Sequence, residues 1–97
     1  MPILWHVFIG NKVGKQVQKL PPEVNDSFKT LHHQMRQYGP YCYEWKNYGK
    51  IKGHDNIYHC HIKSGRPTYV VYWVIWDKKN QIVEVLYAGT HEKAPKF

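Results

Sequence analysis

The residues best suited to acid–base chemistry lie in the segment 57–63, where polar and apolar side chains alternate. Alternate residues of an extended strand point to opposite faces, so His59, His61 and Lys63 would form one row with about 7 Å between neighbours. Histidine takes up and releases protons near neutral pH, and lysine carries a positive charge. The spacing therefore predicts a row of basic groups on one face of a sheet.

Basic residues elsewhere in the sequence could extend this row. Arg66 lies in the turn that follows the strand, and His91 follows the last strand pattern. Cleavage of RNA through its own 2′-hydroxyl needs a base, an acid and cations that stabilise the charge developing on the phosphate. Histidines beside an arginine and a lysine could supply all three functions without a metal or another cofactor.

Two other interpretations of the basic row remain open at the level of sequence. An exposed polar row is also what the solvent-facing side of an antiparallel sheet ordinarily contains. His59 and His61 could instead bind a transition metal, with Cys42, His54 or His91 completing the ligand shell. No further ligand stands at a fixed spacing, so the pattern favours the metal-free interpretation.

The sequence carries a strong excess of positive charge. It contains 14 lysines and arginines against 7 acidic residues, which gives a formal net charge of +7. Such an excess favours binding to nucleic acid, to an anionic membrane surface or to an acidic protein, although it also serves solubility alone.

Length and composition predict a single domain spanning residues 1–97. A hydrophobic content of 42% is enough to pack one modest core. The longest apolar run, 69–76, is too short to span a bilayer, and residues 1–10 lack the pattern of an export signal. We therefore expect a cytoplasmic protein in which Cys42 and Cys60 are free thiols.

Hydrophobic periodicity predicts six elements. Strand patterns cover 3–9, 57–63, 68–76 and 81–88, and helical spacing predicts one helix over 12–20 and a second beginning near Pro22. The apolar stripe expected to be buried on the second helix consists of Val24, Phe28, Leu31, Met35 and Tyr38. The order β-α-α-β-β-β indicates an α+β fold, with the two N-terminal helices packed on one face of an antiparallel sheet.

The connector 41–53 is aromatic and basic, and its pattern favours no element. Within it, Trp45 and Tyr48 lie among lysines that include Lys50 and Lys52. These two aromatic side chains are the candidates for stacking on RNA bases. The alternative is that they pack at the edge of the core.

Three segments resemble the RelE/ParE toxin superfamily. The segment 50–53 matches a basic-Leu-basic-Gly pattern, 57–61 a strand of alternating basic residues, and 68–72, after a glycine turn, a strand that ends in Val-Tyr. The last strand runs into Gly89-Thr90-His91-Glu92-Lys93, where superfamily members have a glycine followed by basic residues. The order of elements also fits, so the resemblance covers nearly the whole chain.

The resemblance implies the toxin of a bacterial toxin–antitoxin pair. RelE-like members enter the ribosomal A site and cut mRNA there without a metal, by attack of the 2′-oxygen on the neighbouring phosphate. By position, His59 and His61 fall where RelE has two lysines. Lys52 falls on an arginine that binds substrate, and His91 falls close to a basic residue that assists the leaving group.

The expected site therefore has a catalytic set and a phosphate-binding set. The catalytic residues are His59, His61, His91 and Arg66, and the phosphate-binding residues are Lys50, Lys52, Lys63 and Lys93. The implied partners are mRNA and ribosomal RNA in the A site, together with an antitoxin whose acidic, partly disordered segment folds on the toxin.

Besides the histidines that replace lysines at positions 59 and 61, the chain departs from the RelE pattern at two further places. Tyr69 stands where RelE has an arginine, with Arg66 three residues earlier, and the only aromatic residue of the tail is Phe97 instead of a catalytic tyrosine. Two alternatives to the nuclease follow from the resemblance. One is a ParE-like inhibitor of DNA gyrase, and the other is a binding module of the same fold that has lost catalysis.

Overall fold

Strand-like and helical patterns of apolar residues produce two layers in this chain. The computed structural model describes residues 4–97, so Ile3, the first residue of the first predicted strand, lies outside the described part. The elements in chain order are β1 (His6–Ile9), α1 (Asn11–Gln18), α2 (Pro22–Tyr38), β2 (Lys46–Lys50), β3 (Ile57–Lys63), β4 (Tyr69–Asp77), β5 (Ile82–Thr90) and a 3-10 turn (His91–Lys93).

The strands form one mixed sheet in the order β1-β5-β4-β3-β2. The four strands from β2 to β5 pair antiparallel with their neighbours, whereas β1 pairs parallel with β5. The predicted α+β class, with both helices on one face of the sheet, is confirmed. The expectation of a wholly antiparallel sheet is wrong for β1, because the α1–α2 pair carries the chain from one edge of the sheet to the other.

Strand β2 is the element that the sequence pattern does not reveal. Its sequence, from Lys46 to Lys50, is polar and has no β-branched residue, so it lacks a strand signal. Its pairing with β3 shifts in register between Lys46 and Gly49, and Asn47 within the shift has a φ of 56°. A bulge of this kind interrupts the alternation on which prediction depends.

The apolar stripe of α2 packs on the sheet as predicted, except at its last member. Leu31 and Met35 are completely buried, whereas the side chain of Tyr38 is 80% exposed. Tyr38 is the final residue of the helix, and the chain leaves it through Gly39, whose φ is 98°. A side chain at position 39 would also come within 2.8 Å of Trp5 Nε1, so glycine is required at this turn.

Strand β4 is buried on both faces and separates two apolar clusters. Towards the helices, Trp73 lies in the main core together with Val71 and Ile75. On the opposite face, Val70 and Tyr72 form a smaller cluster with Tyr87. The helices leave this second face open, and we call it the open face. Within residues 4–97, neither helix is long and apolar enough to cross a membrane.

The α2 stripe contains a buried residue, Leu31, and an exposed one, Tyr38, and comparing them tests the packing. Leu31→Ala should lower the free energy of unfolding by about 2–5 kcal/mol, because it leaves a cavity in the main core. Tyr38→Ala, on the same helix, should change it by less than about 0.5 kcal/mol. Urea unfolding followed by circular dichroism measures both, and equal losses would contradict the burial pattern.

Candidate active site

Three histidines from two parts of the chain meet on the open face. The ring centroids of His59 and His61, both on β3, are 6.3 Å apart, and those of His61 and His91 are 5.7 Å apart. We call these three residues the histidine cluster. Its members are the residues that the alternation of β3 and the end of the last strand predict.

The end of β5 is held so that His91 reaches the cluster. The backbone N–H of His91 donates to the carbonyl of Thr68 at 2.8 Å, which ties the 3-10 turn to the start of β4. The Tyr87 hydroxyl donates to the carbonyl of Thr90 at 2.8 Å. A Cβ at position 89 would lie 2.6 Å from that hydroxyl, so Gly89 leaves room for this contact.

His59 is oriented by the edge strand. Its Nδ1 lies 3.1 Å from the carbonyl oxygen of Gly49, the residue opposite it on β2. A carbonyl can only accept, so Nδ1 carries the hydrogen and donates it. The other ring nitrogen, Nε2, makes no hydrogen bond with the described residues and is the one available to a substrate.

His61 has an environment that favours its neutral form. Its pKa lies below the ordinary value of 6.5, first because of partial burial and then because of the positive charges of His91, His59 and Lys46. Lys46 is opposite His61 in the register of β2 and β3. It is a site residue that the sequence does not single out, because β2 is not recognisable as a strand.

Arg66 lies in the same groove as two of the histidines. The groove has a volume of about 630 Å³ and is lined by His61, His91, Glu92 and the turn residues 65–68. The Thr68 hydroxyl donates to the carbonyl of Gly65 at 2.9 Å and closes this turn. An exposed guanidinium beside two imidazoles is an arrangement that can bind a phosphate.

Lys63 does not belong to the row of His59 and His61, and this prediction is wrong. The β3–β4 register shifts between His61 and Lys63, which places Lys63 opposite Tyr69 of the main-core side. Its Nζ lies 2.9 Å from Oε1 of Glu23 in the first turn of α2. A bulge reverses the face on which the next residue stands, and single-sequence alternation cannot reveal it.

The remaining predicted phosphate ligands stand apart from the groove. Lys50 is opposite Tyr58, whose ring packs against the main core. Lys52 is exposed in the turn after β2, and Lys93 is exposed in the 3-10 turn, where it lines a different groove beside α1. None of these three lysines lines the groove of His61 and His91.

The two candidate stacking residues pack against the main core. Trp45 Nε1 donates to Oε1 of Gln34 at 2.9 Å, and the Tyr48 ring stacks on Tyr58 with centroids 5.9 Å apart. Burial raises the pKa of the Tyr48 hydroxyl. Both rings therefore pack at the edge of the main core, which was the alternative to base stacking.

Two of the side chains that could have completed a metal site, Cys42 and His54, lie away from His59 and His61. Cys42 is buried on the helix side of the sheet, where burial raises the pKa of its thiol to about 12. The His54 ring contacts Phe97 instead of His59 or His61. Across residues 4–97, no three histidine, cysteine or acidic side chains are arranged to hold a metal ion. Cys42 and Cys60 are both free thiols, as predicted.

The tail returns to the open face and covers a tyrosine there. The Phe97 ring stacks on Tyr72, with centroids 5.3 Å apart and an angle of 29° between the planes. Tyr72 also lies 5.5 Å from the His59 ring, and only 9% of it is exposed. Its position beside the cluster follows from register and not from any sequence signal of its own.

Comparison with known proteins identifies the fold. No protein-family model and no characterised protein matches the sequence. Among solved structures, the archaeal RelE–RelB complex from Pyrococcus horikoshii OT3 matches with a TM-score of 0.72 and 17% identity, over 94% of this chain and 99% of that chain. A doubly mutated E. coli toxin RelE in the free state matches with a TM-score of 0.70 and 16% identity, over 94% and 87%. The chain therefore adopts the fold of the RelE toxins.

Proposed function

We propose that this chain is the toxin of a toxin–antitoxin pair and a ribosome-dependent endoribonuclease that cleaves mRNA. The observation that carries the proposal is the meeting of His61, His91 and Arg66 in one groove on the open face of a RelE fold. On this proposal the protein acts in the cytoplasm, where it halts translation by destroying messages in the A site.

In the proposed mechanism, His61 is the general base and His91 is the general acid. His61 is neutral near pH 7 because its pKa is lowered by burial and by neighbouring positive charge, so it accepts the proton of the attacking 2′-hydroxyl. The 2′-oxygen then bonds to phosphorus as the bond to the 5′-oxygen breaks. His91, whose ring centroid is 5.7 Å from that of His61, donates a proton to that leaving oxygen.

Fixed positive charge completes the mechanism. Arg66 lines the groove and holds the phosphate oxygens as their negative charge grows. Lys46 and His59 flank His61 on the β2 side. His59 presents its Nε2 towards the substrate because Nδ1 is held by Gly49. No step in this scheme requires a tyrosine hydroxyl in the segment that follows β5.

The net charge of +7 supports both implied partners. Binding to mRNA and ribosomal RNA would depend steeply on salt, because each phosphate contact releases counterions. The structural neighbour from Pyrococcus horikoshii was solved in complex with RelB. We propose a corresponding antitoxin here, with an acidic segment that neutralises the basic surface.

Mutation of the cluster tests the function directly. In bacteria that express the chain without an antitoxin, new mRNA 5′ ends should appear within translated codons. His61→Ala and His91→Ala should each reduce this cleavage by about 10²–10⁴-fold, the contribution of one acid or base group. His33→Ala, which removes an exposed histidine of α2, is the matched control and should cleave like the wild type.

Two outcomes would contradict the nuclease. If growth stops without new 5′ ends while a DNA-damage response rises, the chain acts as a gyrase inhibitor. If cleavage persists in the His61 and His91 variants, the chemistry lies elsewhere on the molecule. Thermal melting of each variant separates loss of a catalytic group from loss of the fold.

The protonation of His61 gives an independent test. Nuclear magnetic resonance titration should place its midpoint below 6.5, and Lys46→Gln should raise that midpoint because it removes a nearby positive charge. Since the neutral form is the base, kcat/KM should fall as pH decreases through this midpoint. A Lys46→Gln midpoint equal to or below that of the wild type would contradict the assigned electrostatics.

A further inference from the structure

We propose that the face of the Tyr72 ring is a stacking platform for an RNA base and that Phe97 occupies this platform in the free protein. The inference rests on the proposed function for its ligand, RNA. It adds a binding subsite beside the histidine cluster and a role for the tail. Trp45 and Tyr48, the stacking candidates from sequence, are engaged on the helix side, so they cannot provide this subsite.

The contact between Phe97 and Tyr72 demonstrates that the platform accepts a flat ring. The two rings stack at 5.3 Å with 29° between their planes, whereas Tyr87 and His59 contact Tyr72 from other directions at 6.2 and 5.5 Å. Tyr72 is 9% exposed and Phe97 is 41% exposed, so Phe97 is the outer ring of the pair. A nucleobase presents the same kind of aromatic face.

The platform lies within reach of the proposed chemistry. A groove of about 500 Å³ is lined by Tyr72, His91, Glu92, Ile51 and the tail residues 94–97. His91 lines this groove and also the groove that contains His61 and Arg66. A base stacked on Tyr72 would therefore leave its adjoining phosphate beside His91. Lys96 in the tail lines the same groove and offers a further positive charge.

The segment that covers the platform makes few hydrogen bonds with the rest of the described chain. The last backbone hydrogen bond of the described chain runs from the N–H of Ala94 to the carbonyl of His91 at 3.3 Å. Among residues 4–97, residues 95–97 make no backbone hydrogen bond, and the Phe97 ring contacts only His54 and Tyr72 of the aromatic side chains. A base that binds must displace Phe97, so the fraction of molecules with the tail undocked reduces the measured affinity.

Removal of the Phe97 ring should therefore strengthen binding. The probe is a fluorescein-labelled hexanucleotide with 2′-O-methyl groups, which cannot be cleaved, and anisotropy at low salt gives its Kd. Phe97→Ala should bind the probe about threefold to tenfold more tightly. This factor corresponds to the stacking of Phe97 on Tyr72, which competes with the base in the wild type. Phe97→Ala combined with Tyr72→Leu should lose this gain, because leucine fills the space without a stacking face.

Two controls make the result specific. Phe8→Ala removes a phenylalanine of β1 that is 57% exposed and lines neither groove of the open face, so this variant should bind like the wild type. A hexanucleotide of the same backbone without bases should bind Phe97→Ala and wild type equally, because it retains only the phosphate contacts.

Unchanged or weaker binding by Phe97→Ala would overturn the proposal, as would an equal gain for the strand without bases. The measurement is separate from cleavage. If Phe97→Ala binds more tightly but the wild type does not cleave mRNA, the platform is supported and the nuclease is rejected. If the wild type cleaves mRNA but Phe97→Ala binds no more tightly, the nuclease is supported and the platform is rejected.

Discussion

Burial of β4 on both faces is the constraint on which the rest of the molecule depends. From Val70 to Ile75 the strand has no exposed side chain, with the main core on one face and the smaller cluster on the other. A register slip of one residue would exchange these two sets of side chains, so the pairing of β4 with β3 and β5 is strongly specified. That register places His59 opposite Tyr72, and Val70 between His61 and Gly89. The histidine cluster is thus a consequence of how the central strand is packed.

The parts of the fold that follow hydrophobic periodicity could be predicted, and the parts that depend on register could not. The alternation of β3 indicated that His59 and His61 share a face, and the stripe of α2 indicated its buried side. Lys63 was assigned to the wrong face and Lys46 was missed for the same reason, since each stands next to a bulge where alternation fails. The meeting of His91 with His61 needs three strands to be in place, so its position after the last strand pattern could only suggest that His91 extends the row. In the sequence, Tyr72 is recognisable only as the end of a Val-Tyr strand motif, because nothing local distinguishes a core tyrosine from one that reaches a site.

The two bulges together set the charge of the open face. Lys63 turns away and pairs with Glu23, while Lys46 stands opposite His61. The ion pair is largely exposed and contributes little to stability, so its effect is mainly to place a positive charge outside the cluster. Lys46 and the neighbouring histidines lower the pKa of His61, and burial adds to the same direction. A histidine kept neutral among positive groups is suited to accept a proton, and the same groups attract a phosphate.

The chain shares its backbone fold with the solved RelE structures but few of their side chains. At 16–17% identity the backbone is shared, but the fold alone does not determine chemistry. In the family that the chain resembles, lysines occupy the strand positions held here by His59 and His61. Lysine stabilises charge, whereas histidine also transfers protons near neutral pH. In the proposed mechanism, His61 acts as the base and His91 as the acid. No residue of the tail is then needed for proton transfer. A phenylalanine at position 97 is then compatible with activity, because its place on Tyr72 calls for an aromatic face and not for a hydroxyl.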